Sequence, residues 1–266
     1  MREVLKWLVQ YREEPFDIEW MSIFHIVYLL LAVSIPLVIS WRLVKGGNKK
    51  TEKYLRILSI VTLLLYIGDF FAHPLMRADY GMNVDKLPFH ICTLMCIVVA
   101  FVQFNTKFER FREPVAFLSV VAPLMYLCYP GTAIGTESPF SYEILQTFAY
   151  HGALYAWGVT NIATGRITPN IKHCYKALIG ICMIAVWAGL GNIVYNGDGQ
   201  HYDWFFLTGS TFPFVPKVLM PFAVIAAVFG MVMIIYGIYY WVKHIIETKA
   251  AKAQEETAEE KESVTV

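Results

Sequence analysis

One short stretch of this sequence combines residue types that can do chemistry with the start of an apolar run. Leu87 to Cys96 reads Leu-Pro-Phe-His-Ile-Cys-Thr-Leu-Met-Cys, and the run reaches about Phe104. A thiol can act as a nucleophile or metal ligand, and an imidazole can act as a base or donor. Because ionisable groups are costly inside an apolar helix, they indicate a functional site there. We therefore expect Cys92 and His90 to take part in a site.

Further polar residues interrupt other apolar runs. Asp69 and His73 are four residues apart, so they share a helix face and the carboxylate can orient the imidazole. His151 lies nine residues into its run, about 14 Å along a helix axis, and follows Tyr150. Asn192 lies near the end of another run. These residues are candidates for the same site as His90 and Cys92.

A structural role competes with a chemical role for each candidate. Cys92 is either a small buried side chain or a nucleophile whose thiolate is favoured by the N–H groups of the first helical turn. Asp69 and His73 either hold two helices together or belong to the site. His73, His90, His151 and Cys92 lack the short spacing of a metal site, so we predict no metal and no cofactor. The other cysteines are expected to be apolar fillers, namely Cys96, Cys128, Cys174 and Cys182.

The composition is that of a membrane protein. Of the 266 residues, 57% are hydrophobic and 16% are charged, and the mean hydropathy is +0.49. Soluble domains are less apolar and about a quarter charged. The net charge of +1 argues against a nucleic-acid partner, which would require clustered Lys and Arg. Five cysteines form an odd, scattered set that does not indicate a disulfide framework.

Seven apolar runs are long enough to cross a bilayer as helices. They cover about 19–43, 54–74, 87–105, 113–130, 142–164, 174–195 and 214–242. We predict an all-α polytopic bundle with three parts: an amphipathic interfacial segment at 1–17, a seven-helix transmembrane domain at 18–246 and a disordered, charged cytoplasmic tail at 247–266. Pro123 and Pro221 fall inside runs and predict kinks.

The distribution of Lys and Arg predicts the orientation of these runs. Basic residues concentrate after runs one, three, five and seven, which predicts an outside N-terminus and a cytoplasmic C-terminus. The polar residues then all fall in the outer half of the membrane, namely His25, Asp69, His73, His90, Cys92, His151 and Asn192. This coincidence predicts a polar cavity that opens to the outer face. The aromatic residues of 202–206 are expected to form an interfacial belt.

The Leu-Pro-x-His-x-Cys motif at 87–92, the seven-helix layout and the single histidine of run five resemble the YwaF-type integral membrane protein family. The resemblance covers most of runs two to seven. That family is related to a eukaryotic phospholipid acyltransferase that uses a cysteine nucleophile and a histidine. By position, these two residues correspond to Cys92 and His151. The resemblance implies a membrane phospholipid substrate and a bacterial plasma-membrane location.

Three hypotheses of function follow. In the first, Cys92 attacks a phospholipid ester with His151 as base, His90 stabilises the oxyanion, and Asp69, His73 and Asn192 bind substrate. In the second, Asp69, His73, His90 and His151 line the cavity of a proton-coupled transporter or small-molecule binding protein. In the third, these residues only pack the helices of a scaffold. The cysteine and the family resemblance favour acyl transfer.

Overall fold

The computed structural model describes residues 18–76, 84–131, 139–196, 201–207 and 215–264. Within these ranges the chain is helical and has no β-strand. Seven α-helices coincide with the seven apolar runs: α1 (Ile23–Gly46), α2 (Asn48–Met76), α3 (Ile91–Phe104), α4 (Arg112–Cys128), α5 (Tyr142–Ala163), α6 (Cys174–Tyr195) and α7 (Met220–Val264). The predicted interfacial segment at 1–17 lies outside the described residues.

Five segments in the described ranges are long and apolar enough to cross a membrane: Ile23–Gly46, Asn48–Phe71, Thr106–Cys128, Ile171–Tyr195 and Lys217–Lys252. They support an integral membrane protein. The helix α3 is apolar but has 14 residues, which span only about 21 Å. The helix α5 has 22 residues but is not apolar enough to be among these five segments.

The less apolar helix α5 lies at the centre of the bundle, where it packs against α1, α2 and α4. Polar side chains on α5 bond to its neighbours: Gln146 donates to the Leu65 carbonyl oxygen at 2.9 Å, and the Thr160 and Ser40 hydroxyls are 2.8 Å apart. Interhelical hydrogen bonds of this kind hold membrane helices together. The neighbouring helices surround α5, so its polar residues face protein.

Gly158 permits the close approach of α4 and α5. A Cβ atom at this position would lie 2.6 Å from the Ala116 carbonyl oxygen and 2.8 Å from Cγ2 of Val120. We expect Gly158→Ala to lower the free energy of unfolding by about 1–3 kcal/mol, because a packed backbone has to move. Denaturant unfolding in detergent micelles measures this change.

Gly180 on α6 offers the matched control for Gly158. A Cβ there would meet only the flexible Cδ1 of Leu118, at 3.4 Å. Since alanine favours a helix over glycine by up to about 1 kcal/mol, we expect Gly180→Ala to be neutral or slightly stabilising. Equal destabilisation by the two variants would contradict the close α4–α5 contact.

The last helix differs from the sequence-based expectation at both ends. Because α7 begins at Met220, Pro221 lies in its first turn and not in its interior, where a kink was expected. A proline is tolerated there since that N–H has no intrahelical partner. At the other end, α7 continues to Val264 through the segment expected to be a disordered tail. The residues after 247 are rich in Ala, Glu and Lys, which favour helix.

Candidate active site

The segment before α3 is fixed to α6 by aromatic side chains. The indole N–H of Trp187 donates to the Pro88 carbonyl oxygen at 2.7 Å. The Phe89 ring stacks on Trp187 at 5.1 Å between ring centroids and lies 4.8 Å from Trp204. Gly191 makes room for this ring, because a Cβ at that position would lie 2.6 Å from it. These contacts set where the next residues, His90 to Cys92, enter the bundle.

Asn192 holds the loop that covers this segment. Its side chain donates to the Trp204 carbonyl oxygen at 3.2 Å and accepts from the Trp204 N–H at 2.9 Å. Asn196, one turn later on α6, makes the same pair of bonds with the backbone of Tyr202. Both ends of the Asn192 amide are therefore bonded to protein. The structure places this residue as a clamp for residues 202–206, beside the site predicted from the sequence.

We expect Asn192→Ala to destabilise the protein, because Asn192 bonds to the backbone of buried Trp204. The substitution leaves a buried N–H and a buried carbonyl of Trp204 without partners, at a cost of about 2–4 kcal/mol in the free energy of unfolding. We expect a smaller loss for Asn196→Ala, since Asn196 is only half-buried and water can replace its bonds. Denaturant unfolding of both variants measures the difference. A larger loss for Asn196→Ala would contradict the buried clamp.

The aromatic segment at 202–206 is part of the bundle and not an interfacial belt along its whole length. Trp204 and Phe205 are buried, whereas Phe206 is about half exposed. Phe205 and Phe206 adopt left-handed φ angles of 62° and 55°, a conformation that costs about 1 kcal/mol or more for such residues. An aromatic residue gives the same sequence pattern whether it faces lipid or protein. The sequence therefore did not predict the burial of Trp204 and Phe205.

His90 is the N-cap residue of α3, and its ring faces the buried loop. Its Nδ1 accepts a long hydrogen bond of 3.5 Å from the Phe205 N–H. In a neutral imidazole the other nitrogen, Nε2, then carries the proton and is a donor. The ring also lies 5.8 Å from the Phe206 ring. His90 is thus positioned as a hydrogen-bond donor at the start of α3.

Cys92 is the second residue of α3, so the N–H groups of the first helical turn lie beside it. It is 8% exposed and packs in a buried cluster with Tyr66, Cys96, Ala122 and Tyr150. Cys96, one turn further on, is fully buried and donates its S–H to the Cys92 carbonyl oxygen at 3.2 Å. The two cysteines therefore share a helix face but differ in their hydrogen bonds.

His151 is held between two tyrosine rings at the centre of the bundle. It is 1% exposed and stacks on Tyr126 at 3.9 Å and on Tyr150 at 4.0 Å. Its Nδ1 is 2.8 Å from the Thr147 carbonyl oxygen. Because a carbonyl oxygen only accepts, Nδ1 carries the proton and the neutral ring has its lone pair on Nε2. This tautomer leaves the lone pair of Nε2 without a hydrogen-bond partner among the described residues.

Tyr150 connects the cysteine to the histidine. It belongs to the buried cluster of Cys92 and stacks on the adjacent His151. In the described part of the chain, no direct hydrogen bond joins the Cys92 thiol to the His151 ring. Cys92 and His151 therefore pack against the same tyrosine.

Asp69 pairs with a lysine that the sequence analysis did not single out. Its Oδ2 lies 2.8 Å from Lys86 Nζ, and the Asp69 carboxylate is almost fully buried. Tyr66 fixes the lysine backbone by donating to the Lys86 carbonyl oxygen at 3.0 Å. The place of Lys86 directly before the Leu87–Cys92 motif is the only sequence signal for this role.

The second oxygen of Asp69, Oδ1, is buried and has no hydrogen-bond partner among the described residues. A buried carboxylate oxygen without a donor is costly, so this atom is an available acceptor for a ligand. His73, the predicted partner of Asp69, lies in α2, but its side chain is outside the described residues. The predicted Asp69–His73 pair is therefore neither supported nor opposed by the geometry.

The candidate site combines a buried thiol, an imidazole lone pair, a ring N–H donor and an ion pair, and it extends from one end of the bundle inward to His151. We call this end, where α2 ends and α3 and α5 begin, the site end. Within the described residues, no group of three or more His, Cys, Asp or Glu side chains is arranged to hold a metal ion. The arrangement is suited to nucleophilic and acid–base chemistry by side chains.

A second buried histidine, His25, differs from His151 in its hydrogen bonds. Its Nε2 donates to the Leu127 carbonyl oxygen at 2.8 Å, and its Nδ1 accepts from the Met21 N–H at 3.0 Å. The Nε2 bond joins α1 to the end of α4, and the Nδ1 bond fixes the segment just before α1, so both ring nitrogens are used. His25 is a structural residue in this arrangement.

Comparison with known proteins gives a family. Residues 20–245 match the TMEM164 family, whereas the motif at 87–92 had suggested the YwaF-type family. No curated protein and no solved structure matches the chain. The matched range includes all seven helices up to the apolar part of α7, together with the candidate site. This chain therefore belongs to the TMEM164 family of membrane proteins.

Proposed function

We propose that this protein is a membrane acyltransferase that moves an acyl chain from a phospholipid through a thioester on Cys92. The observation that supports it best is the shared position of Cys92 and His151 against Tyr150, with the lone pair of His151 on Nε2. A thiol and a basic imidazole in one buried cluster are what a cysteine nucleophile requires. The chain belongs to a family of membrane proteins, which supports a lipid as the proposed substrate.

In the first half-reaction, Nε2 of His151 takes the thiol proton and the Cys92 thiolate attacks the ester carbonyl carbon. The C–O ester bond breaks, the lysophospholipid oxygen takes the proton back from His151, and a thioester remains. Catalytic hydrogen bonds often form only when substrate is bound, so the absence of a direct Cys92–His151 bond at rest is compatible with this step. Throughout, the Thr147 carbonyl accepts from Nδ1 and keeps the ring oriented.

In the second half-reaction, an alcohol or amine attacks the thioester while Nε2 of His151 takes its proton. The thiolate of Cys92 leaves and receives that proton, which restores the enzyme. His90, the N-cap of α3, and Lys86, four residues earlier, are the proposed donors to the oxyanion of both tetrahedral intermediates. Oδ1 of Asp69, which has no hydrogen-bond partner among the described residues, is the proposed acceptor for a donor group of the lipid or of the acyl acceptor.

We also propose the membrane topology. Basic residues are concentrated at the end of the bundle opposite to the site end, which we call the basic end. They lie before and at the start of α2, after α3, after α5 and after the apolar part of α7. By the positive-inside rule the basic end is cytoplasmic and the site faces the outer side of a plasma membrane. Seven crossings, including short α3 and polar α5, then place the N-terminus outside and the C-terminus in the cytoplasm.

Intact-mass spectrometry of the purified protein in phospholipid micelles tests the proposed function. We expect an added mass of one acyl group that hydroxylamine removes, since hydroxylamine cleaves thioesters. Folded protein that shows no adduct with several phospholipid donors would contradict acyl transfer through Cys92.

A further inference from the structure

The basic end of α2 carries a pocket that is separate from the candidate active site. Its volume is about 470 Å³, and its charged lining consists of Lys49, Lys53, Arg56 and Arg166 around the single carboxylate of Glu52. Seventeen residues of helix separate Glu52 from Asp69, which is about 26 Å along the axis. The pocket therefore lies at the opposite end of the bundle from Cys92 and His151.

The positive charge of this pocket exceeds what its carboxylate can neutralise. Glu52 is already shared by Arg166 at 2.8 Å, Arg56 at 3.2 Å and the Gln103 amide at 2.8 Å. Within the described residues, Lys49 and Lys53 have no carboxylate partner, and they are exposed. The Nε of Arg166 is buried and lacks a hydrogen-bond partner in the same ranges. Four cations thus face one occupied carboxylate.

The position of Lys49 and Lys53 on α2 makes their positive charges electrostatically unfavourable. Lys49 and Lys53 lie in the first two turns of the helix, and its first turn has no acidic residue. The N-terminal end of a helix has a positive partial charge, so cations are unfavourable there and anions are favourable. A bound anion would be stabilised by the lysines, by Arg166 and by the helix end together.

The apolar side of the pocket indicates a lipid as the source of that anion. Ile57 and Ile60 line it one and two turns further along α2, and each is nearly half exposed. The exposed apolar surface continues to Leu64. A phospholipid with its phosphate at the start of α2 would therefore have its acyl chains along an exposed apolar helix face.

We propose that this pocket binds the phosphate of an anionic membrane phospholipid. The four cations favour a headgroup with net negative charge over a zwitterionic one, because each basic residue near a membrane surface adds to the attraction of anionic lipid. The bound lipid would hold the α1–α2 connection against Arg166, which follows α5. This inference does not depend on the proposed acyl transfer.

Native mass spectrometry of the full chain tests this proposal, with phosphatidylglycerol and phosphatidylcholine of identical acyl chains as probes. We expect tighter binding of phosphatidylglycerol, and an affinity for it about 25-fold lower in Lys49→Gln/Lys53→Gln, from about fivefold for each lysine. Since both lysines are exposed, the folded helix does not depend on them. The matched control is Lys107→Gln/Lys172→Gln, which removes two exposed lysines from other loops at the same end.

Three results would overturn the proposal. The first is equal affinity of the wild type for the two lipids. The second is an equal loss of affinity for phosphatidylglycerol in both double variants, which would indicate an effect of general surface charge. The third is displacement of phosphatidylglycerol by excess inorganic phosphate, which would assign the pocket to a soluble phosphate. The lipid site is supported if only Lys49→Gln/Lys53→Gln loses affinity for phosphatidylglycerol and inorganic phosphate does not displace this lipid.

Discussion

Replacing Cys92 with alanine is expected to lower the rate of acyl transfer by at least about 10⁴-fold, the range in which the loss of a nucleophile falls in enzymes. Alanine cannot form the thioester, so the hydroxylamine-sensitive adduct should disappear as well. The protein should still fold, because alanine fills most of the volume of a thiol that makes no side-chain hydrogen bond in the described part of the chain. Transfer between labelled phospholipid and acceptor measures the rate, and intact mass measures the adduct.

Cys96→Ala is the matched control for this prediction. Cys96 is a thiol in the same buried cluster, one turn further along α3, and it bonds only to the Cys92 carbonyl oxygen. We expect it to retain transfer and the adduct, with a modest loss of stability. Unchanged acyl transfer in Cys92→Ala, or loss of acyl transfer in Cys96→Ala alone, would contradict the assignment of Cys92 as the nucleophile. A silent Cys92→Ala would favour the transporter or scaffold hypotheses.

The helices and the general position of the site could be predicted from sequence because both depend on local composition. Continuous apolar runs set the helix lengths, and seven runs became seven α-helices. His90, Cys92 and His151 stood out because each interrupts or begins such a run. Their collection at one end also followed from alternating the direction of successive runs.

The partners of these residues could not be predicted, since they depend on how the helices pack. The Asp69–Lys86 pair joins residues 17 positions apart across the end of α2, and no periodicity connects them. The clamp of Asn192 on Trp204 likewise depends on the path of a loop. The sequence predicted substrate binding for Asn192, which stays a prediction, whereas its two hydrogen bonds with the Trp204 backbone could not be predicted.

Replacing His151 with glutamine is expected to slow formation of the Cys92 adduct by about 10²–10⁴-fold, the usual contribution of a general base. Glutamine is close in size and can still donate a hydrogen bond to the Thr147 carbonyl oxygen, but it has no basic nitrogen. The adduct should therefore form slowly and be stable once formed, because the second half-reaction needs the same base. The time course of the intact mass measures both steps.

His25→Gln separates this chemical role from a structural one. His25 is as buried as His151 and also donates a ring N–H to a carbonyl oxygen, but its second nitrogen is already bonded to the Met21 N–H. The two variants remove equally buried imidazoles, so a purely structural requirement predicts similar losses of stability and of transfer in both. General base catalysis predicts that only His151→Gln loses transfer at equal folded concentration, because only His151 has a ring nitrogen left to take the thiol proton.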